Sequence, residues 1–263
     1  MTEALLINAA IDAAMMLLLC AVATRIRDVS FIDAVWGGGM AVLALASWLQ
    51  VDAPGHRAGL IAAMAVIWGT RLALHLYTRW RASGEDPRYA RMLGKAKAQG
   101  RYGRAALTVV FGPQALLLYL VCLPAQLGVL GSGGGAIGPL AWTGFALWLL
   151  GVTFETVGDA QLKAFRADPA SQGKVLDTGL WRYTRHPNYF GDACAWWGIW
   201  LAAAEAGPTV ALASLPGPVF LTFTLTRWSG KPLLEKSLVK NRPGYAEYVA
   251  RTSGFLPWPP RRG

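Results

Sequence analysis

Apolar runs close to 20 residues long recur along this chain, and they constrain its fold more than any other feature. They cover about residues 4–23, 31–50, 59–77, 105–130, 139–158, 189–204 and 209–226. About 20 apolar residues is the length a helix needs to cross the hydrocarbon core of a bilayer. In lipid a spanning segment must satisfy its own backbone polar groups, which a helix does. The expected fold is therefore all-α: a polytopic membrane protein with seven transmembrane helices in a single transmembrane domain over 1–263. Composition agrees, since 54% of the residues are hydrophobic and only 15% charged, below the roughly 25% charged of soluble domains. Glu3, and not a basic segment, precedes the first run, and no small-residue cleavage site stands out. That run reads as a span and not as a signal peptide.

Charge sets the orientation. Arg25 and Arg27 follow the first run, and the stretch 79–104 holds eight Lys or Arg against Glu85 and Asp86. With the 159–186 connection and the tail from Arg227, these fall on one side, and the other loops carry almost no positive charge. The positive-inside rule then puts the N-terminus outside and the C-terminus in the cytoplasm. The net charge of +10 belongs to those loops; no soluble basic domain exists to bind nucleic acid. Cys20, Cys122 and Cys194 lie inside apolar runs without metal-ligand spacing, so neither a disulfide nor a metal site is expected. No internal repeat of the transporter kind is visible. The tail is too polar to span. It has helix-like content from Pro232 to Arg251, is stopped by Pro257, Pro259 and Pro260, and is placed to cover a cytoplasmic pocket.

The stretch most dense in chemistry is Gly179–Asp192, with Arg182, Tyr183, Arg185, His186, Asn188, Tyr189 and Asp192 beside an apolar run. Cations, an imidazole, an amide and a carboxylate there suit phosphates, ribose hydroxyls and amides. Pro187 fits the first turn of a helix. That helix N-terminus offers free N–H groups and a positive dipole end to an anion. Intramembrane polar residues are the second signal, because a carboxylate at a helix centre costs roughly 2.5–3.5 kcal/mol on insertion scales. Asp33, Gln114, Glu155 and Asp159 are of this kind, with Arg71, His75 and Tyr77 at the end of the third run. Glu155, Asp159 and Arg166 are spaced i, i+4, i+11 and share one helical face; Asn188 and Asp192 are i, i+4.

Each of these has a structural alternative. The charged pairs read equally as a salt-bridge net between helices, His75 as a packing histidine, and Asp33 as a partner of Arg25 or Arg27. Trp36, Trp181, Trp196, Trp197 and Trp200 read as belt or packing residues. Gly37-Gly38-Gly39 is a helix-packing face or a local break. It is not a dinucleotide fingerprint, because no βαβ context surrounds it.

Several segments together resemble the bacterial membrane family related to steroid 5-alpha-reductases. They are Gly84–Tyr89, Glu155–Lys163, Gly179–Asp192, Leu234-Glu235-Lys236, Pro243–Tyr248 and Phe255–Trp258. The resemblance implies an NADPH-dependent reductase of a carbon–carbon double bond conjugated to a carbonyl, in a steroid-like or other lipid substrate. It implies a multi-pass protein of a bacterial inner membrane that holds the cofactor from the cytoplasmic side. Residues 139–263 would be the cofactor-binding half and 1–130 the substrate side. Asp159, Arg166, Asn188 and Asp192 match the family's cofactor-contact positions, and Glu155 stands where the steroid enzymes have Asn. Tyr183, Arg185, His186, Tyr189, Tyr248 and Arg251 complete the expected cofactor set. The steroid enzymes' Gln-Glu pair is absent, so the expected catalytic group is Asp33 with Tyr77, oriented by His75. Arg185–Tyr189 and Glu235 also resemble the isoprenylcysteine carboxyl methyltransferases, which use S-adenosylmethionine and usually carry Glu-Glu where this chain has Leu234-Glu235.

Overall fold

The computed structural model describes residues 1–228 and 230–261, with 232–234 and 237 described by backbone alone. Among the described residues all regular structure is helical, apart from an isolated parallel bridge between Thr184 and Ser253. The first three helices are α1 (Thr2–Ile26), α2 (Ile32–Leu49) and α3 (His56–Ser83). Gly84 ends α3 at φ 72, a left-handed conformation that costs glycine little.

The polar stretch after it is not a plain loop. Asp86 accepts a hydrogen bond from the Arg88 backbone N–H and Pro87 takes the first helical position, starting α4 (Pro87–Ala98). An Asp cap followed by proline is a strong helix start.

The expected span 105–130 is interrupted. A continuous helix covers Tyr102–Val121, made of α5 (Tyr102–Ala105), a π-helical stretch Ala106–Phe111 and α6 (Gly112–Val121). It stops at Cys122, and α7 (Leu123–Ser132) begins with Pro124 in its first turn. Proline has no N–H to continue the ladder of the preceding helix. Then come α8 (Pro139–Ala167), α9 (Pro187–Ala204), α10 (Pro208–Ser214) and α11 (Pro216–Phe223), extended by a π-helical turn Thr224–Trp228. The tail forms α12 (Lys231–Asn241) and α13 (Tyr245–Arg251), divided at Gly244, which has φ 76.

Among the described residues six helices are long and apolar enough to cross a membrane: Thr2–Ile26, Ile32–Leu49, His56–Ser83, Tyr102–Val121, Pro139–Ala167 and Pro208–Trp228. The chain is thus a multi-pass helical membrane protein. The expected span at 189–204 is a helix, α9, but does not stand among the six. Asn188, Asp192 and three tryptophans lower its hydropathy.

The chain forms two compact units. Unit 1 comprises Met1–Trp142 and Ile199–Gly217. Here α2 and α3 approach so closely that a Cβ on Gly37 would lie 2.5 Å from the Gly69 carbonyl oxygen. The glycine run is therefore a packing face. A buried polar hub sits on α1. Asn8 Nδ2 donates to Ser47 Oγ (2.7 Å) and Gln126 Oε1 (2.9 Å), and Asn8 Oδ1 accepts from Gln50 Nε2 (2.9 Å). Glu205 accepts from the backbone N–H of Gly138 and Ala141, satisfying the start of α8.

Unit 2 comprises Thr143–Gly198 and the chain from Pro218 onward. Its core is the contact of α8 with α9 through glycines seven residues apart, Gly144, Gly151 and Gly158 on one helix and Gly191 and Gly198 on the other. A Cβ on Gly191 would lie 2.4 Å from the Gly151 carbonyl oxygen, and one on Gly198 2.4 Å from that of Gly144. Phe154 meets Phe190 edge-on at 5.0 Å. Trp196 is fully buried, and Trp197 donates to Thr222 Oγ1 (3.1 Å).

Candidate functional site

In unit 2 the candidate polar residues gather where α9 begins. Glu155 and Asp159 lie a turn apart on α8, 2% and 9% exposed. Asn188, in the first turn of α9, directs its amide at Asp159 Oδ1 across 3.4 Å. The close approach has a local cause: Gly158 has no side chain, so Pro187 and the Asn188 backbone N–H come against α8. Asn188 Oδ1 accepts from the Tyr189 N–H (3.1 Å). Asp192 follows one turn on. Arg166 extends from the exposed end of the same α8.

The Gly179–His186 stretch is tied to α8 by Trp181 Nε1 donating to the Gly158 carbonyl (3.1 Å) and the Leu180 N–H donating to Gln161 Oε1 (3.0 Å). The same stretch holds the tail. Arg185 makes a fork with Glu235, Nε to Oε1 at 2.7 Å and Nη2 to Oε2 at 3.1 Å, and donates to the carbonyls of Val249 (3.1 Å) and Thr252. His186 Nε2 lies 2.9 Å from Glu235 Oε1. A carboxylate only accepts, so this ring nitrogen carries the proton. The His186 ring stacks on Tyr189 with centroids 5.1 Å apart. The Trp258 N–H donates to the Tyr183 carbonyl (3.0 Å), Tyr248 O–H to the Trp181 carbonyl, and Arg251 to Asp177. Burial alone would raise the Glu235 carboxyl, but hydrogen bonds from His186 and Arg185 outweigh it and hold the group at about 2. His186 shifts down, because burial penalises the imidazolium more than Glu235 favours it.

Of the expected cofactor residues, Arg185 and His186 are thus engaged in anchoring the tail. Arg251, paired with Asp177, also lines an open cleft of about 260 Å³ with Arg182, Thr252 and Pro260. Glu235 is the residue that spacing alone did not assign. It is 50 positions from Arg185, and no local periodicity joins them.

In unit 1 the structure gives Asp33 other partners than those expected. Tyr89 O–H donates to Asp33 Oδ1 (2.9 Å), Arg88 Nη2 meets Oδ2 at 3.1 Å, and Arg79 lies at 3.7 Å. Gln114 Nε2 reaches the Tyr89 oxygen at 3.4 Å, and Trp36 Nε1 donates to Gln114 Oε1 (2.5 Å). Neither Arg25 nor Arg27 is the partner of Asp33. Tyr77, the tyrosine expected beside it, is 47% exposed and packs against the Trp80 ring at 5.7 Å. His75, half-buried, accepts from Thr78 Oγ1 through its carbonyl (2.9 Å). The tyrosine at Asp33 comes instead from α4. Burial first, and then the Asp33 charge, push the Tyr89 hydroxyl above its ordinary range. Among the described residues no cluster of His, Cys, Asp and Glu has the arrangement of a metal site.

A helical membrane protein with buried carboxylates facing an amide at a helix start, and a tail tied to the stretch before that helix, matches one protein family over residues 19–252, described as "Protein of unknown function (DUF1295)". The chain belongs to this family. It is 23% identical over 230 residues to an uncharacterised protein of Schizosaccharomyces pombe, covering 77% of this chain and 64% of that one. It is 37% identical over 87 residues to 3-oxo-5-alpha-steroid 4-dehydrogenase 1 of Mus musculus, covering 33% of this chain and 31% of the enzyme. It is 32% identical over 91 residues to a "Probable O-methyltransferase" of Ustilaginoidea virens, covering 35% of this chain and 31% of that protein. The chain thus spans less than two thirds of the length of the curated relatives it matches. No solved structure matches it. Over about a third of its length the chain is thus steroid 5-alpha-reductase-like.

Proposed function

We propose that the protein is a membrane reductase that saturates a carbon–carbon double bond conjugated to a carbonyl in a lipid or steroid-like substrate, with NADPH as reductant. The observation that carries this reading is the pairing of buried Asp159 with half-buried Asn188 beside Glu155 at the start of α9. Its donor set fits a nicotinamide dinucleotide. Asp159 and Glu155 accept from ribose hydroxyls or a carboxamide, and Asn188 both donates and accepts. Arg166, Arg182 and Arg251 are the cations for phosphates, since a guanidinium fork suits their oxygens. Arg185 is better read as the anchor of the tail, because its donors are spent on Glu235 and two carbonyls. Bound there, NADPH supplies the hydride. The mouse steroid enzyme is named for the same class of reaction. The reading places a seven-span protein in a bacterial inner membrane, with α9 as the added span and the site on the cytoplasmic side.

The second reading is an S-adenosylmethionine-dependent methyltransferase. It is favoured by the His186–Glu235 pairing and by the fungal relative. Thermal stability of the detergent-purified protein separates the two. A ligand at about 100 times its dissociation constant adds roughly 2.7 kcal/mol. Stabilisation by NADPH and not by S-adenosylmethionine is expected; the reverse would overturn the reductase.

A further inference from the structure

We infer that helix α4 is a docking surface for anionic phospholipid headgroups, whatever reaction the chain catalyses. The helix is fixed across one end of unit 1. Four candidate spans meet there: α1 and α3 end, and α2 and the helix Tyr102–Val121 begin. Both ends of α4 are tied down. Tyr89 O–H donates to Asp33 Oδ1 (2.9 Å) at the start of α2, and Lys97 Nζ donates to the Arg27 carbonyl (3.1 Å) after α1. The Asp86 N–H, at the helix cap, donates to Ser30 Oγ (2.7 Å) in the α1–α2 connection. Lys97 also meets Glu85 at 3.5 Å and lies over the Tyr102 ring, 5.7 Å from its centroid. Spans give way to polar chain where the hydrocarbon ends, so a helix laid across four such ends lies at headgroup level.

Helical spacing gives α4 two faces. Tyr89, Leu93 and Ala96 are turned toward the protein, with Leu93 only 2% exposed. Arg88, Arg91, Met92 and Lys95, at i, i+3, i+4 and i+7, are exposed on the opposite face. Arg88 is committed to Asp33 and Asp86. Arg91 and Lys95 make no hydrogen bond or ion pair among the described residues. The local charge leaves no acid for them. Segments 25–33 and 79–104 carry ten Lys or Arg against four acids, Asp28, Asp33, Glu85 and Asp86. Each acid already has a partner: Asp28 accepts from Trp80 Nε1 (2.8 Å), Asp33 and Asp86 hold Arg88, and Glu85 holds Lys97. The complement of Arg91 and Lys95 is therefore an anion from outside the chain. Met92, 54% exposed between these two cations, decides its kind. A soluble anion leaves the thioether in water. At the boundary of headgroups and acyl chains, Met92 and the stems of Arg91 and Lys95 find apolar surroundings while the charges reach phosphates. The guanidinium fork of Arg91 suits a phosphodiester.

The full chain in detergent, titrated with dioctanoyl phosphatidylglycerol, is expected to bind it more tightly than dioctanoyl phosphatidylcholine. The difference should shrink as salt rises, because exposed charges are screened. Arg91→Gln and Lys95→Gln should each lower phosphatidylglycerol affinity about fivefold, the worth of one cation at an anionic membrane surface. The double variant should lose both factors. Arg91→Lys combined with Lys95→Arg keeps the charges and should keep the preference. A second readout places the helix itself. The three native cysteines are buried, so a thiol-reactive, polarity-sensitive fluorophore can be put on Met92→Cys in reconstituted vesicles. Its emission should move to the blue when phosphatidylglycerol replaces part of the phosphatidylcholine. Equal affinity for the two lipids, or a preference that the double glutamine variant keeps, overturns the inference. Glycerol 3-phosphate displacing the lipid at equal concentration would show a free phosphate, and not a lipid, as the occupant. A label at position 92 that reports water in both kinds of vesicle would overturn the membrane as the partner.

Discussion

Gly191 meets Gly151 backbone to backbone: a Cβ on Gly191 would fall 2.4 Å from the Gly151 carbonyl oxygen and 2.8 Å from the Glu155 N–H nitrogen. The contact fixes the α8–α9 separation and carries Glu155 against the start of α9. Close approach of this kind is the usual role of small residues at membrane helix interfaces. Gly191→Ala and Gly151→Ala should each cost about 1–3 kcal/mol, the range for overpacking, and weaken NADPH binding through misplaced Glu155. Gly94→Ala is the control. Nothing lies within 4 Å of the new Cβ and the residue is in helix α4, so stability should rise by roughly 0.5–1 kcal/mol. Thermal melts in one detergent check both signs.

Glu235 predicts how the tail responds to pH. Its carboxyl lies at about 2 in the folded protein against an ordinary 4.5. A depressed carboxyl stabilises above its unfolded value, and that contribution is lost as pH falls through 4.5 toward 2. His186 is also depressed, from 6.5, so the folded state resists protonation there and loses stability as pH drops below 6.5. Both signs agree: the tail is held at neutral and alkaline pH and released by acid. The protection factors of the Thr252 and Ser253 amides, hydrogen-exchange rates by mass spectrometry corrected for the intrinsic pH dependence, should be flat above about pH 7 and fall below 6.5. Glu235→Gln should leave the buried Arg185 without its countercharge, cost roughly 3–5 kcal/mol, and abolish the lower step. An unchanged exchange profile in that variant would show that the ion pair does not hold the tail.

Asp159 and Asn188 carry the cofactor reading, and the prediction there concerns binding alone. Removing one charged hydrogen-bond partner costs about 1.5–3 kcal/mol, roughly 10- to 150-fold in affinity. Asp159→Asn and Asn188→Ala should therefore reduce NADPH stabilisation by that factor in titration, while the ligand-free melting point moves little. Equal NADPH affinity in both variants would remove these residues from the cofactor site.

Much of this was readable from spacing. The apolar runs gave the long helices, and the i, i+4 pairs on α8 and α9 placed Glu155, Asp159, Asn188 and Asp192 because helical geometry is local. Pro124 inside the fourth run and Asp86-Pro87 in the polar stretch were local signals too. They carried the break after α6 and the start of α4, and were outweighed by hydropathy averaged over longer windows. Partners far apart in sequence stayed hidden. Tyr89 reaches Asp33 across 56 residues and Glu235 reaches His186 across 49, and no periodicity encodes a contact at that range. Proximity in sequence favoured Arg25 or Arg27 as partners of Asp33, and the family resemblance put Tyr77 with it; tertiary folding brought α4 instead.

Asn8 joins α1 to α2 and α7 through three side-chain hydrogen bonds, the two to Ser47 and Gln126 buried and the one from Gln50 part-buried. Its removal strands an acceptor on Gln126 in an apolar setting, whereas Ser47 keeps its bond to the Leu43 carbonyl (2.8 Å) and Gln50 Nε2 its bond to the Ala46 carbonyl (3.0 Å). Hydrogen bonds between membrane helices contribute about 0.6 kcal/mol on average and up to about 1.7. Asn8→Ala should therefore destabilise by about 1–2 kcal/mol, clearly more than Ser47→Ala, which strips the hub of one bond. Asn8 and Gln126 should also couple in a double-mutant cycle, the pair losing less than the sum of the single losses, because each single change already breaks the bond they share. Since the hub lies wholly in unit 1, NADPH affinity of these variants should match wild type. Additive losses in the cycle would mean that the helices are held there by packing alone.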